Sequence, residues 1–404
     1  MPTLSFAGSI PCVMLTVISA IVFKQMRLSN ADITLYTAWL YLPWVMMPLW
    51  EPLVVQNKGN HWWIVLTEAL MMVAFGGMAF TIPTDGWLRG MLLFLWLLAF
   101  ASAVHDTAGG NYRRLSMATW QQPSYQVLRS PASILAMVLM QGVLVMLAGN
   151  LQVIYRNSIR YSWSLLLYGI AGLMMVLWLW HHYALLRRKE VLLGGWHLSA
   201  WKEQVTSVLY PLIQQPQLMA VVGFLFLFRV GEGLQSKVGT LFLIDATHRG
   251  GLGLSPQEYG LVMGTVGVFG LCAGAMAGWN VVHRNGLSRW RWPMAVAVIM
   301  PTPVCLFLSN IPGCSLFVTA VCILFGQASY GFGMTAYVII LRRFCRHHRV
   351  AGQALVALSL MLPSMFSGAW QQYTGYRQYF MSVLVVALLT QVAAWGILRW
   401  RARA

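Results

Sequence analysis

Twelve apolar stretches run through the chain, each about as long as a helix must be to cross a bilayer core, with only short polar segments between them. They fall at roughly 5-24, 33-53, 62-83, 87-108, 127-149, 162-184, 217-244, 257-281, 293-310, 314-340, 350-371 and 378-398. The first lacks a charged leader and a small-residue cleavage site, so it reads as a retained helix. Only 9% of the residues are charged, against roughly 25% in an average soluble domain. The expected fold class is therefore an all-α membrane protein of about twelve transmembrane helices, with no soluble domain left over.

A formal net charge of +17 invites a nucleic-acid reading, but the placement of the charge opposes it. Alternate loops collect most of the lysines and arginines, among them Arg113, Arg114, Arg187, Arg188, Lys189, Arg342, Arg343 and Arg346. The intervening loops hold only Lys24, Arg27, Arg89, Arg156, Arg160, Arg249 and Arg377. The positive-inside rule then puts both termini in the cytoplasm, and the basic charge serves topology and contact with anionic lipid heads rather than nucleic acid.

The two halves of the chain echo each other. "LSNADITLY" from Leu28 and "LSPQEYGLV" from Leu254 both follow an apolar stretch and open another, with Ser29 and Ser255 offset by 226 residues. Both read as capping boxes, in which serine caps the third backbone N–H and Asp32 or Glu258 reaches back. "WEPLVVQNKG" is echoed by "WNVVHRNG", and "NYRRL" by "IILRRF", with Arg113 and Arg342 offset by 229. The expected domains are a six-helix bundle over 1-184, a cytoplasmic linker over 185-216 and a second six-helix bundle over 217-404. The linker's apolar residues, alternating with Lys202 and Glu203, fit a helix lying on the membrane surface.

Within "FLFLFRVGEGLQSKVGTLFLID", Arg229, Glu232 and Lys237 interrupt an otherwise lipid-compatible run. An unpaired charge at the bilayer centre costs from about 2.5 to more than 10 kcal/mol, so these three must face a cavity or one another. Helical geometry puts Glu232 one turn from Arg229, within ion-pair reach, and Lys237 on the other side of Arg229. One reading is a pair that locks this helix to its neighbours. The other has Arg229 and Lys237 attracting an anionic solute while Glu232 neutralises the empty site or accepts a proton. Glu68, inside the third stretch, is a further intramembrane acid; Gln141, Gln327 and Tyr330 are candidates to line a polar cavity.

His105 and Asp106 end the fourth stretch, followed by Tyr112 and Arg113. This is a candidate gate, with Asp106 pairing to an arginine that follows it. The His181 and His182 pair is expected at a membrane edge, where the linker begins. Six cysteines without repeated CxxC spacing give neither a disulfide framework nor a zinc site, and "RRFCRHHRV" reads as a basic loop rather than a metal cluster. Trp62, Trp63, Trp290 and Trp292 fall near helix ends, as an interfacial aromatic belt requires. No HExxH, GxSxG or P-loop occurs, so the sequence calls for no enzyme and no cofactor.

The runs "LYTAWLYLPWVMMPLWEPLV", "SAVHDTAGGNYRR", "FRVGEGLQSK", "GLGLSPQEYGLVMGTVGVFG" and "SYGFGMTAYV" together resemble the AmpG-like branch of the major facilitator superfamily, closest to Bacteroidetes-type members. The resemblance implies a permease of the bacterial inner membrane with solute bound between the halves, and a monomer is expected because a twelve-helix chain can complete a transport path alone. For the namesake members it implies proton-driven import of muropeptides. Gly8, Val55 and Gly110 stand where the branch often carries acids, and Gly326 precedes Gln327 where relatives often have a glutamate, which weakens ordinary proton coupling. A siderophore or other peptide-like cargo, facilitated diffusion, and a transport-deficient membrane receptor are the alternatives.

Overall fold

The computed structural model describes residues 2–57, 59–116, 131–156, 158–185, 198–311, 313–346 and 348–401. Among the sequence expectations, Lys58, Arg187, Arg188, Lys189, His347 and the first part of the linker lie outside the described residues. The helices in chain order are α1 Pro2–Gln25, α2 Asn30–Trp39, α3 Leu42–Val45, α4 Met47–Asn57, α5 Asn60–Thr81, α6 Trp87–Ser116, α7 Pro131–Ile154 and α8 Ile159–Ala184. They continue as α9 Leu198–Gln214, α10 Pro216–Ile244, α11 Pro256–Asn285, α12 Leu287–Ser309, α13 Leu316–Cys345, α14 Arg349–Thr374 and α15 Tyr376–Arg401.

Among the described residues, eleven helices are long and apolar enough to cross a membrane, one fewer than the apolar stretches predict. The difference is the second stretch, which is split into α2, α3 and α4. Hydropathy does not register its prolines. Pro43 lies in the first turn of α3, and Pro52 lies inside α4. A proline lacks the N–H that would continue the helical ladder and clashes with the preceding turn. Trp50 Nε1 donates to the Pro43 carbonyl at 2.9 Å, recovering an acceptor in the broken segment.

The helices are apolar on nearly every face, as lipid demands. Phe80, Phe269 and Phe317 are 69–76% exposed, which in water would be a liability and in a bilayer is ordinary. In the first half, α5 packs between α6 and α8; in the second, α10 packs against α14 and α15 while α11 packs against α13. Polar side chains tie helices within a half. Trp163 Nε1 on α8 donates to Gln25 Oε1 at 2.6 Å, and Gln25 and Gln152 exchange side-chain hydrogen bonds between α1 and α7.

The halves meet along two seams, α2 to α4 against α14 and α7 against α11. Both helices of the second seam pass through π-helical segments, Val138–Leu144 and Gly260–Gly267. These local changes of hydrogen-bond register often occur at functional positions. There the backbones cross so closely that a Cβ on Gly264 would collide with Gly142. Glycine is required by this approach, as small residues are wherever membrane helices pack tightly. Gly264→Ala is expected to cost about 1–3 kcal/mol, the usual range for overpacking. A fall in the thermal unfolding midpoint of the purified protein checks it, and an unchanged midpoint would mean that the crossing is not close.

Helix starts follow the sequence only partly. Ser255 and Glu258 form the full capping box at the start of α11. At α2, Ser29 caps Asp32 N at 3.1 Å, but its hydroxyl also donates to Asp32 Oδ2 at 2.6 Å. Asp32 is one methylene shorter than glutamate, and its carboxylate binds the serine hydroxyl rather than the serine N–H.

Candidate functional site

A cavity of about 840 Å³ lies between the halves, large enough for a drug-sized solute. Its walls come from α1, α7, α10, α11, α12, α13, α14 and α15, and it reaches Pro131, Trp279 and Leu341 toward the end of the molecule where the arginine-rich loops lie, called here the basic end. Arg229 and Glu232 line it, together with Gln141, Gln327, Tyr330 and Tyr337.

The three charges of α10 have separate fates. Arg229 Nε donates to Glu232 Oε2 at 2.8 Å, and Nη2 donates to Glu232 Oε1, making a two-pronged pair on one helix turn. The Arg229 guanidinium carbon also lies over the Tyr337 ring, 5.4 Å from its centroid, a cation–π contact. Arg229 and Glu232 are the only arginine, lysine, aspartate or glutamate side chains lining this cavity among the described residues. Its charged wall is therefore internally balanced.

Lys237 does not line the cavity. Its Nζ donates to the Thr16 carbonyl at 2.7 Å and lies 5.5 Å from the Tyr41 ring centroid. Thr16 belongs to a π-helical segment of α1, Met14–Ile18, where backbone partners shift from four to five residues away. Lys237 thus ties α10 of the second half to α1 of the first.

Beyond Lys237 the halves are fastened together at the end opposite the basic loops. Lys24 Nζ on α1 contacts Asp245 Oδ2, just past α10, at 2.7 Å, and also donates to Asn30 Oδ1 at 2.7 Å. The Tyr376 hydroxyl donates to the same Asp245 oxygen at 3.0 Å. Asn30 Nδ2 donates to Gln371 Oε1 at 2.6 Å and to the Tyr376 hydroxyl at 3.0 Å. Five polar side chains on both halves thereby form one buried network, and the cavity is closed at this end. The sequence reading passes over Asp245 and counts Lys24 only as a loop charge, because their partnership spans 221 residues.

The candidate gate residues lie away from the cavity. Asp106 accepts from Trp44 Nε1 at 2.9 Å rather than from an arginine, and Arg113 Nη1 reaches Ser5 Oγ at 3.4 Å. Tyr112 is buried between α6 and its neighbours, in a cluster with Leu4, Val54 and Ile64. At the basic end the tie between halves is instead Arg349 Nη1 to Asn111 Oδ1, 2.8 Å. Gly110 leaves room for this arginine, since a Cβ there would collide with the guanidinium.

His105 and Glu68 meet inside the first half, with Nε2 to Oε1 at 3.2 Å. His181 joins them, its Nδ1 2.7 Å from the same Glu68 oxygen. The expectation that His181 marks a solvated linker start is corrected by this geometry. It is fully buried, and its Nε2 contacts Thr3 Oγ1 at 3.0 Å. Its position at the end of an apolar stretch concealed this, because α8 continues to Ala184 before the chain leaves the bundle.

Solved structures share this architecture. The nucleoside transporter NupG aligns over 98% of both chains with a TM-score of 0.68 at 12% identity. The xylose transporter XylE from E. coli, in a partially occluded inward-open conformation, covers 98% of this chain and 97% of its own, with a TM-score of 0.69 at 11% identity. A bacterial homologue of the human drug peptide transporters PepT1 and PepT2 covers 100% and 97%, with a TM-score of 0.73 at 14% identity. No protein-family model and no curated protein matches the sequence. At these identities the likeness speaks to architecture alone, and the chain has the all-α membrane fold of the major facilitator superfamily.

Proposed function

We propose that this chain is a secondary transporter of the AmpG-like branch, in the bacterial inner membrane with its basic end cytoplasmic. Its solute is medium-sized and anionic, such as a muropeptide or another amino-sugar and peptide conjugate. The carrying observation is the Arg229–Glu232 pair on the wall of a cavity that is fastened shut at the Lys24 end. An empty site that holds one cation must balance it, and Glu232 does so. An incoming carboxylate or phosphate can take the two guanidinium donors in its place, the geometry in which arginine binds anions best. Gln141, Gln327 and Tyr330 supply neutral hydrogen-bonding groups around it.

Alternation follows if the Lys24–Asp245 network and the Arg349–Asn111 tie open in turn while the halves rock about the α7–α11 seam. A monomer suffices, since one chain encloses the whole path. Lipid heads and protons are the remaining partners of this reading, and nucleic acid is not among them.

Equilibrium binding tests the substrate class. Labelled anhydro-muropeptide, a peptide siderophore and a neutral amino-sugar are titrated into the purified protein, with tryptophan fluorescence as the readout. Saturable binding of an anionic member with weaker binding of the neutral sugar is the expected result. Binding that ignores solute charge would remove Arg229 as the recognition element.

A further inference from the structure

Glu68, His105 and His181 come from α5, α6 and α8, are at most 2% exposed, and share one carboxylate oxygen. The other oxygen of that carboxylate, Oε2, is buried without a hydrogen-bond partner. Nothing replaces the water that Oε2 has lost, so this oxygen keeps acceptor capacity that a proton can use. With both histidines neutral the cluster carries one net negative charge, and a single added proton brings it to neutrality. That proton has places to reside on Oε2 and on either imidazole.

Glu232 offers no comparable vacancy, since Arg229 holds both of its oxygens. The cluster is also separate from the cavity, none of its three members lining it. The charged groups around it are few. Asp106 follows His105 on α6 and is held by Trp44; Arg113 lies two turns further along α6. Glu51 belongs to α4, and Arg349 reaches α6 from α14. His61 lies two turns before Glu68 on α5, and His182 follows His181 on α8. From α1 the cluster meets Thr3, and that helix carries no titratable side chain before Cys12. Gly8 faces His105, a Cβ there lying 3.1 Å from Nδ1, so the imidazole packs against bare backbone.

We propose that Glu68, His105 and His181 form one proton-binding site in the first half of the protein, and that this site, rather than Glu232, carries the coupling proton. The second clause rests on the transport reading above; the first does not. Proton binding is read on the full-length protein in detergent, without solute, by nitrogen-15 NMR of labelled histidines between pH 5 and 9. The His105 and His181 signals are identified by their loss in His105→Gln and His181→Gln. Both imidazoles are expected to titrate with a common midpoint, as coupled groups do. Glu68→Gln is expected to abolish that shared step, and Glu68→Asp, which retains a carboxylate, is the second variant should the first fail to fold. Independent midpoints that are unmoved by Glu68→Gln, or no titration across the range, would overturn the site. For the coupling clause, Glu68→Gln is expected to lose proton-driven accumulation in liposomes while solute equilibration persists. Retained accumulation would overturn that clause, and absence of any solute flux in the parent protein would sink the transport reading while leaving the NMR result to stand alone.

Discussion

In a chain carrying Asp245→Asn, cavity-lining Cys12 is expected to react with a membrane-impermeant thiol reagent from the Lys24 end roughly 100-fold faster than in its parent. The reasoning starts from burial: the Lys24 and Asp245 side chains are only 10% and 5% exposed at a separation of 2.7 Å. Removing one partner of a buried pair costs about 3–5 kcal/mol, because the other charge is left without compensation. That cost falls on the closed state alone, since opening this end returns both groups to water. Even the low end of that range, about 3 kcal/mol, shifts a two-state equilibrium by somewhat more than 100-fold. The experiment uses a protein in which Cys12 is the only cysteine, the other five being replaced. The exchange Lys24→Asp with Asp245→Lys should restore slow labelling, whereas simple damage to the fold would not be repaired by it. Equal labelling in Asp245→Asn and its parent would show that the network does not hold this end shut.

The second large effect concerns recognition. Arg229→Ala is expected to weaken binding of an anionic solute about 100-fold to 1000-fold, again from the cost of an uncompensated buried charge, here on Glu232 and on the solute. Binding of a neutral analogue should change less than about twofold, because no charge of that ligand is left unpaired. Arg229→Lys should behave nearly as badly, since a point charge does not reproduce the planar fork that now holds both oxygens of Glu232. Glu232→Gln should act in the opposite direction and tighten anion binding, because the guanidinium no longer has an internal carboxylate to release. Isothermal calorimetry on the four proteins separates these outcomes. Parallel losses for neutral and anionic ligands would assign the pair a structural role only.

Much of this architecture is written in local sequence. Bilayer-length apolar runs predict helices because a span must satisfy its own backbone hydrogen bonds. Arg229 and Glu232 were legible as a pair because three residues along a helix bring side chains together whatever the rest of the fold does. Ser255 and Glu258 form their predicted box for the same reason.

What local reasoning misses depends on distant chain. Lys237 looks on a helical wheel like a companion of Arg229, yet its partner is the Thr16 carbonyl, and a backbone acceptor on another helix leaves no mark in composition. The Asp245 network joins three stretches far apart in the chain, around residues 24–30, 245 and 371–376, and Asp245 has its partners only once they are assembled. Hydropathy puts His181 at the membrane edge, but the end of an apolar run is not the end of a helix. Hydropathy makes the second stretch one helix because it counts Pro43 and Pro52 by their polarity and ignores the missing N–H groups.

The vacancies at Gly8 and Gly110 are equally instructive. Where the branch resembled here often carries acids, this chain places a glycine against His105 and another against Arg349. Two carboxylates remain beside those glycines' neighbours: Asp106, held by Trp44, and Glu68, which the histidines have taken as their partner. Loss of acids at familiar positions is therefore compatible with a protonatable site built from different residues.

Flux through the purified protein in liposomes tests the central claim most directly. Labelled anhydro-muropeptide and a peptide siderophore are presented with and without an inward proton gradient, and internal solute is followed in time. The account predicts accumulation above the external concentration only when the gradient is present, and its loss in Glu68→Gln. Equilibration to the same level with and without the gradient would contradict coupling, and no entry of any solute while the same solute binds the protein would contradict transport itself.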